Sequence, residues 1–195
     1  KFKPIVPDNF KDSSIVLLGN LDPNLQGAVL DQMVKSKLVI MDTMNFWIES
    51  YRDKVDEVIS RVDVLSINDE EARQLAKTQS LVESAQKLQS MGPRHIIIKK
   101  GEHGALLFSG KNIFYAPAIP LNEVFDPTGA GDSFIGGVAG YLSQCKRVSF
   151  KDMKAAIIVG SAIASFTVQK FGTESLEDLS HELLKQRIEA LKTLT

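Results

Sequence analysis

The 195-residue chain contains 23 basic and 24 acidic residues, and its formal net charge is −1. Because the charges are balanced and mixed, the chain has no basic stripe that could bind nucleic acid. No apolar run is long enough to cross a membrane, so we expect neither nucleic acid nor a membrane as a partner. The single cysteine, Cys145, excludes an internal disulfide and favours a cytoplasmic location. The N-terminus does not have the pattern of a signal peptide, and a chain that begins at Lys1 without an initiator methionine is expected to be a fragment.

Short apolar runs alternate with helical stretches along the chain. Strands are predicted at residues 14–18, 38–41, 62–67, 95–99, 105–109 and 113–116. Helices are predicted at residues 23–35, 46–60, 132–143, 151–169 and 176–191, and a further helix begins near residue 80. Asp22 is the expected N-cap of the first helix, and Ser80 and Glu83 have the spacing of a capping box. Because continuous apolar strands between helices are typical of a parallel sheet covered on both faces, we predict one α/β domain over residues 1–195.

The most informative segment is residues 126–134, with the sequence DPTGAGDSF. Its glycines leave backbone N–H groups unshielded just before a predicted helix, and such a helix N-terminus binds anions such as phosphate. Asp132 would stand beside that anion, where a carboxylate can accept the proton of an attacking hydroxyl during phosphoryl transfer. The structural alternative is a glycine-rich loop that only starts a helix, with Asp132 as its N-cap.

Three motifs of this chain resemble, in the same order, those of the ribokinase-like (PfkB) family of carbohydrate and nucleoside kinases. Residues 126–134 are similar to its C-terminal signature, from which Pro127 departs. NDEE at residues 68–71 resembles its N-x-x-E motif, and KKGEHG at residues 99–104 resembles its nucleotide loop. The resemblance covers nearly the whole chain but only the C-terminal two-thirds of a usual member. It implies a doubly wound, mostly parallel α/β sheet with helices on both faces, from which the family's N-terminal strands and lid are absent.

The absence of a lid is expected to affect the chain in two ways. Closure over a substrate excludes water and assembles the site, so a chain without its lid is expected to bind nucleotide but to transfer phosphate inefficiently. An uncovered sheet edge and apolar surface also favour incomplete folding or association with a second chain, such as a homodimer formed where the lid is missing.

The resemblance assigns roles to residues of the three motifs. Asp132 is expected to be the general base. The N–H groups expected to stabilise the transferring phosphoryl group are those of Gly129, Ala130, Gly131 and Asp132 itself. The residues expected to bind the nucleotide are Asn68, Lys99, Gly101, Gly104, Gly160 and Ser161. The alternatives are a solvated side chain at Lys99 and close helix packing at Gly160.

Two cation sites are implied by the same resemblance. Glu71, together with Asn68, is expected to hold Mg²⁺ through water, because Mg²⁺ dehydrates reluctantly. The alternative is an Asn68 cap with a solvated acid in the first turn of a helix, and Glu70 competes with Glu71 for the metal role. Members of the family also bind a monovalent cation such as K⁺, and Asp126 and Thr128 match that region of the family.

Asp42 and Asn45 follow the second predicted strand and, by the resemblance, face the acceptor substrate; turn chemistry alone is the alternative. Together these features predict an ATP-dependent kinase that phosphorylates a hydroxyl of a sugar, nucleoside or related polyol. Two other functions stay open: a kinase of the same fold that acts on a vitamin-like hydroxymethyl substrate, and a non-catalytic nucleotide-binding or scaffold module. A P-loop kinase is disfavoured because no G-x-x-x-x-G-K-[ST] motif occurs.

Overall fold

The computed structural model describes residues 2–195, and Lys1 lies outside the described residues. Within them, one sheet contains six strands in sequence order: β1 (Ile15–Leu18), β2 (Leu38–Asp42), β3 (Val64–Asn68), β4 (His95–Lys99), β5 (Ala105–Ser109) and β6 (Asn112–Ala116). β1 and β2 run parallel, with Leu18 beside Met41, and β2 and β3 also run parallel. The predicted α/β fold with a mostly parallel sheet is confirmed.

Helices occupy most of the chain between and after the strands. In residues 2–195 they are α1 (Pro23–Leu30), α2 (Asn45–Ser50), α3 (Arg52–Ile59), α4 (Asp69–Ala76), α5 (Leu81–Ser90), α6 (Ala130–Ser143), α7 (Phe150–Thr167), α8 (Glu174–Glu177) and α9 (His181–Lys192). None of the helices described here is both long and apolar enough to pass through a membrane. At residues 176–191, where a single helix was predicted, the structure has two helices, α8 and α9.

The chain divides into two compact units. Unit 1 comprises the residues up to Ile98 together with Phe108–Asn112, and unit 2 comprises Lys99–Leu107 together with Ile113–Thr195. The single domain predicted from the sequence stays a prediction. The fully buried apolar strand residues of unit 1 are Ile40, Met41, Val64, Leu65, Ile67, Ile96, Ile97 and Ile98. Neighbouring residues of one strand are both buried, as a parallel sheet with covered faces requires.

Helix α1 begins where predicted and ends earlier than predicted. Its N-cap is Asp22, whose carboxylate accepts a hydrogen bond from the Asn24 N–H at 2.8 Å. The helix ends at Leu30, because the backbone beyond it bonds to the N-terminal segment: the Val34 N–H donates to the Lys11 carbonyl at 2.8 Å. A contact distant in sequence therefore overrides the local helical pattern.

The helix predicted at residues 46–60 is interrupted at Tyr51. The Tyr51 backbone leaves the helical region (φ −138°, ψ 38°), which separates α2 from α3. Its ring packs in a partly exposed aromatic cluster with Phe46 and Trp47, and the centroids of the Trp47 and Tyr51 rings are 5.6 Å apart. The Trp47 Nε1 donates a hydrogen bond to Asn20 Oδ1 at 3.0 Å. Side-chain packing therefore accompanies the bend, and periodicity alone does not reveal it.

Only half of the capping box predicted at the start of α5 forms. The Ser80 Oγ accepts a hydrogen bond from the Glu83 N–H at 3.3 Å. The Glu83 carboxylate instead accepts a hydrogen bond from the Thr78 hydroxyl at 2.7 Å and pairs with Lys87 at 2.8 Å. Because Lys87 follows Glu83 by one helical turn, this ion pair competes with the backbone N–H that would complete the box.

Helices α6 and α7 of unit 2 approach each other closely at a pair of glycines. Gly160 of α7 faces α6, and a Cβ atom at this position would lie 2.6 Å from the Phe134 carbonyl oxygen and 2.9 Å from Val138 Cγ2. A Cβ atom at Gly137 of α6 would in turn lie 3.1 Å from the Gly160 Cα. The absence of side chains at both positions lets the two backbones come together.

We expect Gly160→Ala to destabilise the protein by about 1–3 kcal/mol, since the added methyl group has no room between the helices. The higher helix propensity of alanine, about 1 kcal/mol relative to glycine, offsets part of this loss. Gly136→Ala in α6 is the matched control, because a Cβ atom there would have nothing within 4 Å; it should be neutral or stabilising. Urea denaturation measures both variants, and a Gly160→Ala protein as stable as wild type would contradict the close contact.

Candidate active site

The loop before α6 is held in place by a hydrogen bond within it and by two hydrogen bonds to the end of α7. Asp126 Oδ1 accepts a hydrogen bond from the Thr128 N–H at 2.9 Å. Hydrogen bonds from the Thr128 backbone and side chain hold the pKa of the Asp126 carboxyl below its ordinary value. The N–H groups of Phe125 and Asp126 donate to the Val168 carbonyl at 2.7 and 3.3 Å. The loop is therefore anchored to the end of α7.

Helix α6 begins with unshielded backbone N–H groups. Gly129 is its N-cap and has a left-handed backbone (φ 79°), a conformation that glycine adopts without strain. The Ala130 N–H donates to the Pro127 carbonyl at 3.2 Å. Because no side chain of the described residues caps this helix, the N–H groups of Gly131 and Asp132 are available to an anion, which the helix dipole also attracts.

Asp132 is the third residue of α6, so the alternative in which it is the N-cap is wrong. Its side chain is exposed, and within residues 2–195 no hydrogen bond or ion pair engages its carboxylate. Asp152, the third residue of α7, is used differently: its carboxylate accepts a hydrogen bond from the Ser149 N–H at 2.9 Å and completes a capping box. The Asp132 carboxylate is therefore available for chemistry at the start of α6.

A cavity of about 550 Å³ lies within unit 2 at the start of α6. Its wall is mostly apolar and is formed by the turn after β4, the segment after β6, and helices α6 and α7. Its lining includes Gly101, Gly104, Ile119, Pro120, Leu121, Val124, Pro127, Ala130, Gly131, Ser161, Ala164, Ser165 and Val168. A largely apolar cavity of this volume, closed at one side by an anion-binding helix start, can hold a ligand with an apolar ring and a phosphate group.

The turn after β4 brings a positive charge to the start of α6. Lys99 lies at the end of β4, and its Nζ is 3.5 Å from the position that a Cβ atom on Gly131 would occupy. The ammonium group therefore lies beside the unshielded N–H groups of α6, where both can bind the same anion. Gly101 follows with a left-handed backbone (φ 54°) and with open space where a side chain would be.

Gly104 serves the packing of the backbone as well as the cavity wall. Its φ is 85°, and a Cβ atom there would collide with the Ala116 carbonyl oxygen and lie 2.8 Å from the Ala118 nitrogen. Only glycine permits this approach. Gly104 therefore fixes the path of the segment after β6, which lines the cavity and which sequence reasoning missed.

One face of α7 forms a further side of the cavity. Ser161, Ala164, Ser165 and Val168 line it, and their spacing places them on a single helix face. Gly160 instead faces α6. Of the two α7 residues predicted to bind the nucleotide, Ser161 thus borders the cavity and Gly160 belongs to the helix contact. Ser165 and Val168 were missed, although their spacing from Ser161 was the signal that could have found them.

In unit 1, Asn68 and Glu71 form a capping box at the start of α4. The Asn68 Oδ1 accepts from the Glu71 N–H at 2.8 Å, and the Glu71 Oε2 accepts from the Asn68 N–H at 2.7 Å. Glu71 is 5% exposed, whereas Glu70 is on the surface. No group of three or more His, Cys, Asp or Glu side chains suited to a metal occurs among residues 2–195. One carboxylate and one amide fit Mg²⁺ only when water and phosphate supply its other ligands.

Asp42 and Asn45 lie together in unit 1, at the end of β2 and the start of α2. Asp42 is buried, and its Oδ1 accepts a hydrogen bond from the Thr43 N–H at 2.8 Å. Gln26, which sequence reasoning missed, donates from Nε2 to the carbonyl oxygens of Asp42 at 3.0 Å and Gly19 at 2.8 Å. This buried amide ties the ends of β1 and β2 together.

The family of the chain follows from comparison with known proteins. The model of the pfkB family carbohydrate kinases matches residues 8–179. The chain belongs to the pfkB family. The matched range contains all three motifs that carry the resemblance, and it ends before α9.

Among curated proteins of similar sequence, the cytidine kinase of Thermococcus kodakarensis is 31% identical in a 157-residue alignment that covers 75% of this chain and 56% of that kinase. The nucleoside kinase of Methanocaldococcus jannaschii is 26% identical over 89% of this chain and 55% of its own length. The crystal structure of fructokinase from Vibrio cholerae O395, bound to fructose, ADP and calcium ion, has a TM-score of 0.78 at 21% identity and covers 94% of this chain and 63% of the fructokinase chain. It shows the same fold. The chain spans about half the length of the curated relatives it matches.

The residues of the pfkB motifs are divided between the two units. The turn after β4 and the loop before α6 meet at the cavity in unit 2. The capping box of Asn68 and Glu71 belongs to unit 1, as do Asp42 and Asn45. The turn after β4 and the loop before α6 therefore surround one cavity, which is the candidate active site.

Proposed function

We propose that this protein is an ATP-dependent kinase that transfers the γ-phosphoryl group to a hydroxyl of a sugar, nucleoside or related polyol. The observation that carries the proposal is the start of α6, where unshielded N–H groups, the Asp132 carboxylate and the Lys99 ammonium lie beside a nucleotide-sized cavity. Phosphoryl transfer is catalysed mainly by positioning and by electrostatic stabilisation, and these are the groups that it needs.

The cavity in unit 2 is the proposed nucleotide site. Its volume of about 550 Å³ lies within the range of small-molecule sites, and its apolar wall suits a purine ring. The phosphates lie at the start of α6, where Lys99 adds a positive charge. Gly101, Gly104 and Ser161 contact the nucleotide, and Gly160 supports this wall by holding α7 against α6.

In the proposed reaction, Asp132 accepts the proton of the acceptor hydroxyl as that oxygen bonds to the γ-phosphorus atom. The bond between the γ-phosphorus and its bridging oxygen breaks, and ADP leaves with the electron pair. The N–H groups of Gly131 and Asp132 stabilise the negative charge on the transferring oxygens, and the turn at Gly129 and Ala130 holds them at the start of α6. An exposed carboxylate with no partner in residues 2–195 is suited to this proton transfer.

The names of the relatives support a nucleoside or a sugar as the acceptor. Two of them are a cytidine kinase and a nucleoside kinase, and the fructokinase structure holds fructose together with ADP. Asp42 and Asn45 are the residues proposed to contact the acceptor. Asp126 and Thr128 are the proposed site of a monovalent cation such as K⁺; the low pKa of Asp126 keeps its carboxylate ionised. The cytoplasmic location stays a prediction.

Glu71 and Asn68 are the residues proposed to hold Mg²⁺ through water, and the bound ion would neutralise charge on the phosphates. We expect Glu71→Gln to raise the Mg²⁺ concentration required for half-maximal activity by about tenfold. Glutamine can keep the capping hydrogen bond to the Asn68 N–H, so the change removes charge and preserves the start of α4. Initial rates over a Mg²⁺ titration of the full-length protein measure the shift.

Glu70→Gln is the matched control for this metal prediction. It removes the same charge from the neighbouring position, where the side chain is exposed. Its Mg²⁺ requirement should stay within about twofold of wild type, as a solvated surface charge implies. A larger shift for Glu70→Gln than for Glu71→Gln would show that the metal role belongs to Glu70.

A coupled assay of ADP formation tests the proposed function on this chain and on a full-length version. The panel contains nucleosides, sugars and vitamin-like hydroxymethyl compounds. Turnover of a nucleoside or a sugar is the expected result, and turnover of a hydroxymethyl compound alone would favour the alternative substrate. Calorimetry with ATP accompanies the assay. Binding without turnover by the full-length version would indicate a non-catalytic module, and absence of binding would contradict the proposal.

A further inference from the structure

Helix α9 lies beyond the residues that match the family model, and it packs against α7 in unit 2. Arg187 makes the polar contacts of this packing. Its Nη1 donates to the Ser165 Oγ at 2.8 Å, and its Nη2 donates to the Gln169 Oε1 at 3.3 Å. The guanidinium carbon lies 4.1 Å from the centroid of the Phe166 ring. Two hydrogen bonds and a stacking contact thus fix the guanidinium plane against α7.

Ser165 connects this contact to the cavity, because it is a buried residue of the cavity wall. Its hydroxyl donates to the Ala162 carbonyl at 2.6 Å while its oxygen accepts from Arg187. A serine hydroxyl has one proton and two acceptor positions. A hydroxyl that accepts a hydrogen bond from a cation also donates more strongly. Arg187 therefore keeps the Ser165 hydroxyl proton in its hydrogen bond to the Ala162 carbonyl. The remaining capacity of the Ser165 oxygen is a lone pair, so Ser165 can accept a hydrogen bond from a ligand but cannot donate one.

We infer that Arg187 is a positioning residue of the nucleotide cavity: by holding Ser165 as an acceptor, it favours a purine whose edge donates a hydrogen bond over one that presents a carbonyl oxygen. The inference rests on the proposed function, which places a nucleotide in this cavity. A purine amino group at Ser165 donates a hydrogen bond to the Ser165 oxygen. A purine carbonyl oxygen at the same place faces a lone pair of that oxygen and gains no hydrogen bond from it. ATP carries an amino group at the position where ITP carries a carbonyl oxygen.

Calorimetric titration of the 195-residue chain with ATP and with ITP tests the inference. Wild type should bind ATP about tenfold more tightly than ITP, the size of one matched hydrogen bond against one unsatisfied group. Arg187→Met keeps a long apolar side chain and removes the charge and both hydrogen bonds, so the preference should fall to about twofold or less. Arg187→Lys still offers a donor to Ser165 and should keep most of the preference.

Two further variants separate positioning from simple destabilisation. Ser165→Ala removes the acceptor and leaves the stacking of Arg187 on Phe166 in place, so it should abolish the preference in the same way. Leu191→Ala removes a fully buried side chain of α9 and loosens the helix without touching the Ser165 contact. It should weaken ATP and ITP binding equally and keep their ratio.

The outcomes distinguish this inference from the proposed function. Wild type that binds neither nucleotide would overturn the proposed function, and the inference with it. Wild type that binds both with equal affinity, or a preference that survives in Ser165→Ala, would overturn the inference and leave nucleotide binding intact. If circular dichroism shows that Arg187→Met does not fold, Ser165→Ala decides.

Discussion

Asp132→Asn in the full-length protein is expected to lower kcat by about 10²–10⁴-fold, the usual contribution of a positioned general base. Asparagine keeps the shape of the side chain but cannot accept a proton, so the loss belongs to the chemical step and ATP affinity should change little. Initial rates with the best acceptor give kcat, and calorimetry gives the affinity. A variant that kept more than about a tenth of wild-type kcat would contradict the assignment of the base.

Asp152→Asn provides a matched control for this experiment. Asp152 occupies the same position of α7 that Asp132 occupies in α6, but its carboxylate completes a capping box with Ser149. Asparagine can keep the hydrogen bond from the Ser149 N–H through its amide oxygen, so Asp152→Asn should change stability little and leave kcat near wild type. If both variants lost activity alike, the effect would come from weakened helix starts and not from proton transfer.

Gly131→Val is expected to weaken ATP and ADP binding by about 10–100-fold, because it removes access to charge-assisted hydrogen bonds at the start of α6. A Cβ atom at residue 131 would lie 3.5 Å from Lys99 Nζ, so the valine branches would fill the space between the ammonium group and the N–H groups. The backbone of Gly131 does not have a positive φ. Valine therefore blocks the anion without straining the backbone, and calorimetry with circular dichroism separates the two effects.

Substitutions of two other glycines provide a second test and a control for this measurement. Gly129→Val should also lose nucleotide binding, but its left-handed φ of 79° adds strain, so a loss of stability is expected with it. Gly136→Val in the same helix is the control, since a Cβ atom there would have nothing within 4 Å, and it should bind nucleotide normally. Normal binding by Gly131→Val would mean that the loop only starts a helix, and the kinase proposal would lose its main local support.

The start of α6 and the strand ends could be predicted from the sequence because their signals are local. A glycine-rich turn before a helical run indicates a helix start, which the structure places at Ala130 where residue 132 was predicted, and an apolar run bounded by turn residues indicates a strand. The end of α1 was missed because the Val34–Lys11 hydrogen bond joins segments that the sequence pattern does not connect. The bend at Tyr51 was missed because the packing of the Phe46, Trp47 and Tyr51 rings does not change the apolar periodicity.

The remaining parts of the site depend on which helix face meets which neighbour. Gly160 and Ser161 are adjacent in sequence, yet one faces α6 and the other borders the cavity. No local pattern separates them. Gln26 and Arg187 act through partners 16 and 22 residues away, so neither stands out until the strands and helices are assembled.

The position of Trp47 determines what optical experiments on this protein can report. It is the single tryptophan of the sequence, and it lies in unit 1 with its indole N–H bonded to Asn20. Intrinsic fluorescence therefore follows the melting of unit 1, whereas the nucleotide cavity is formed within unit 2. Changes in tryptophan emission therefore report on unit 1, and a second chromophore placed near α6 is needed to follow unit 2.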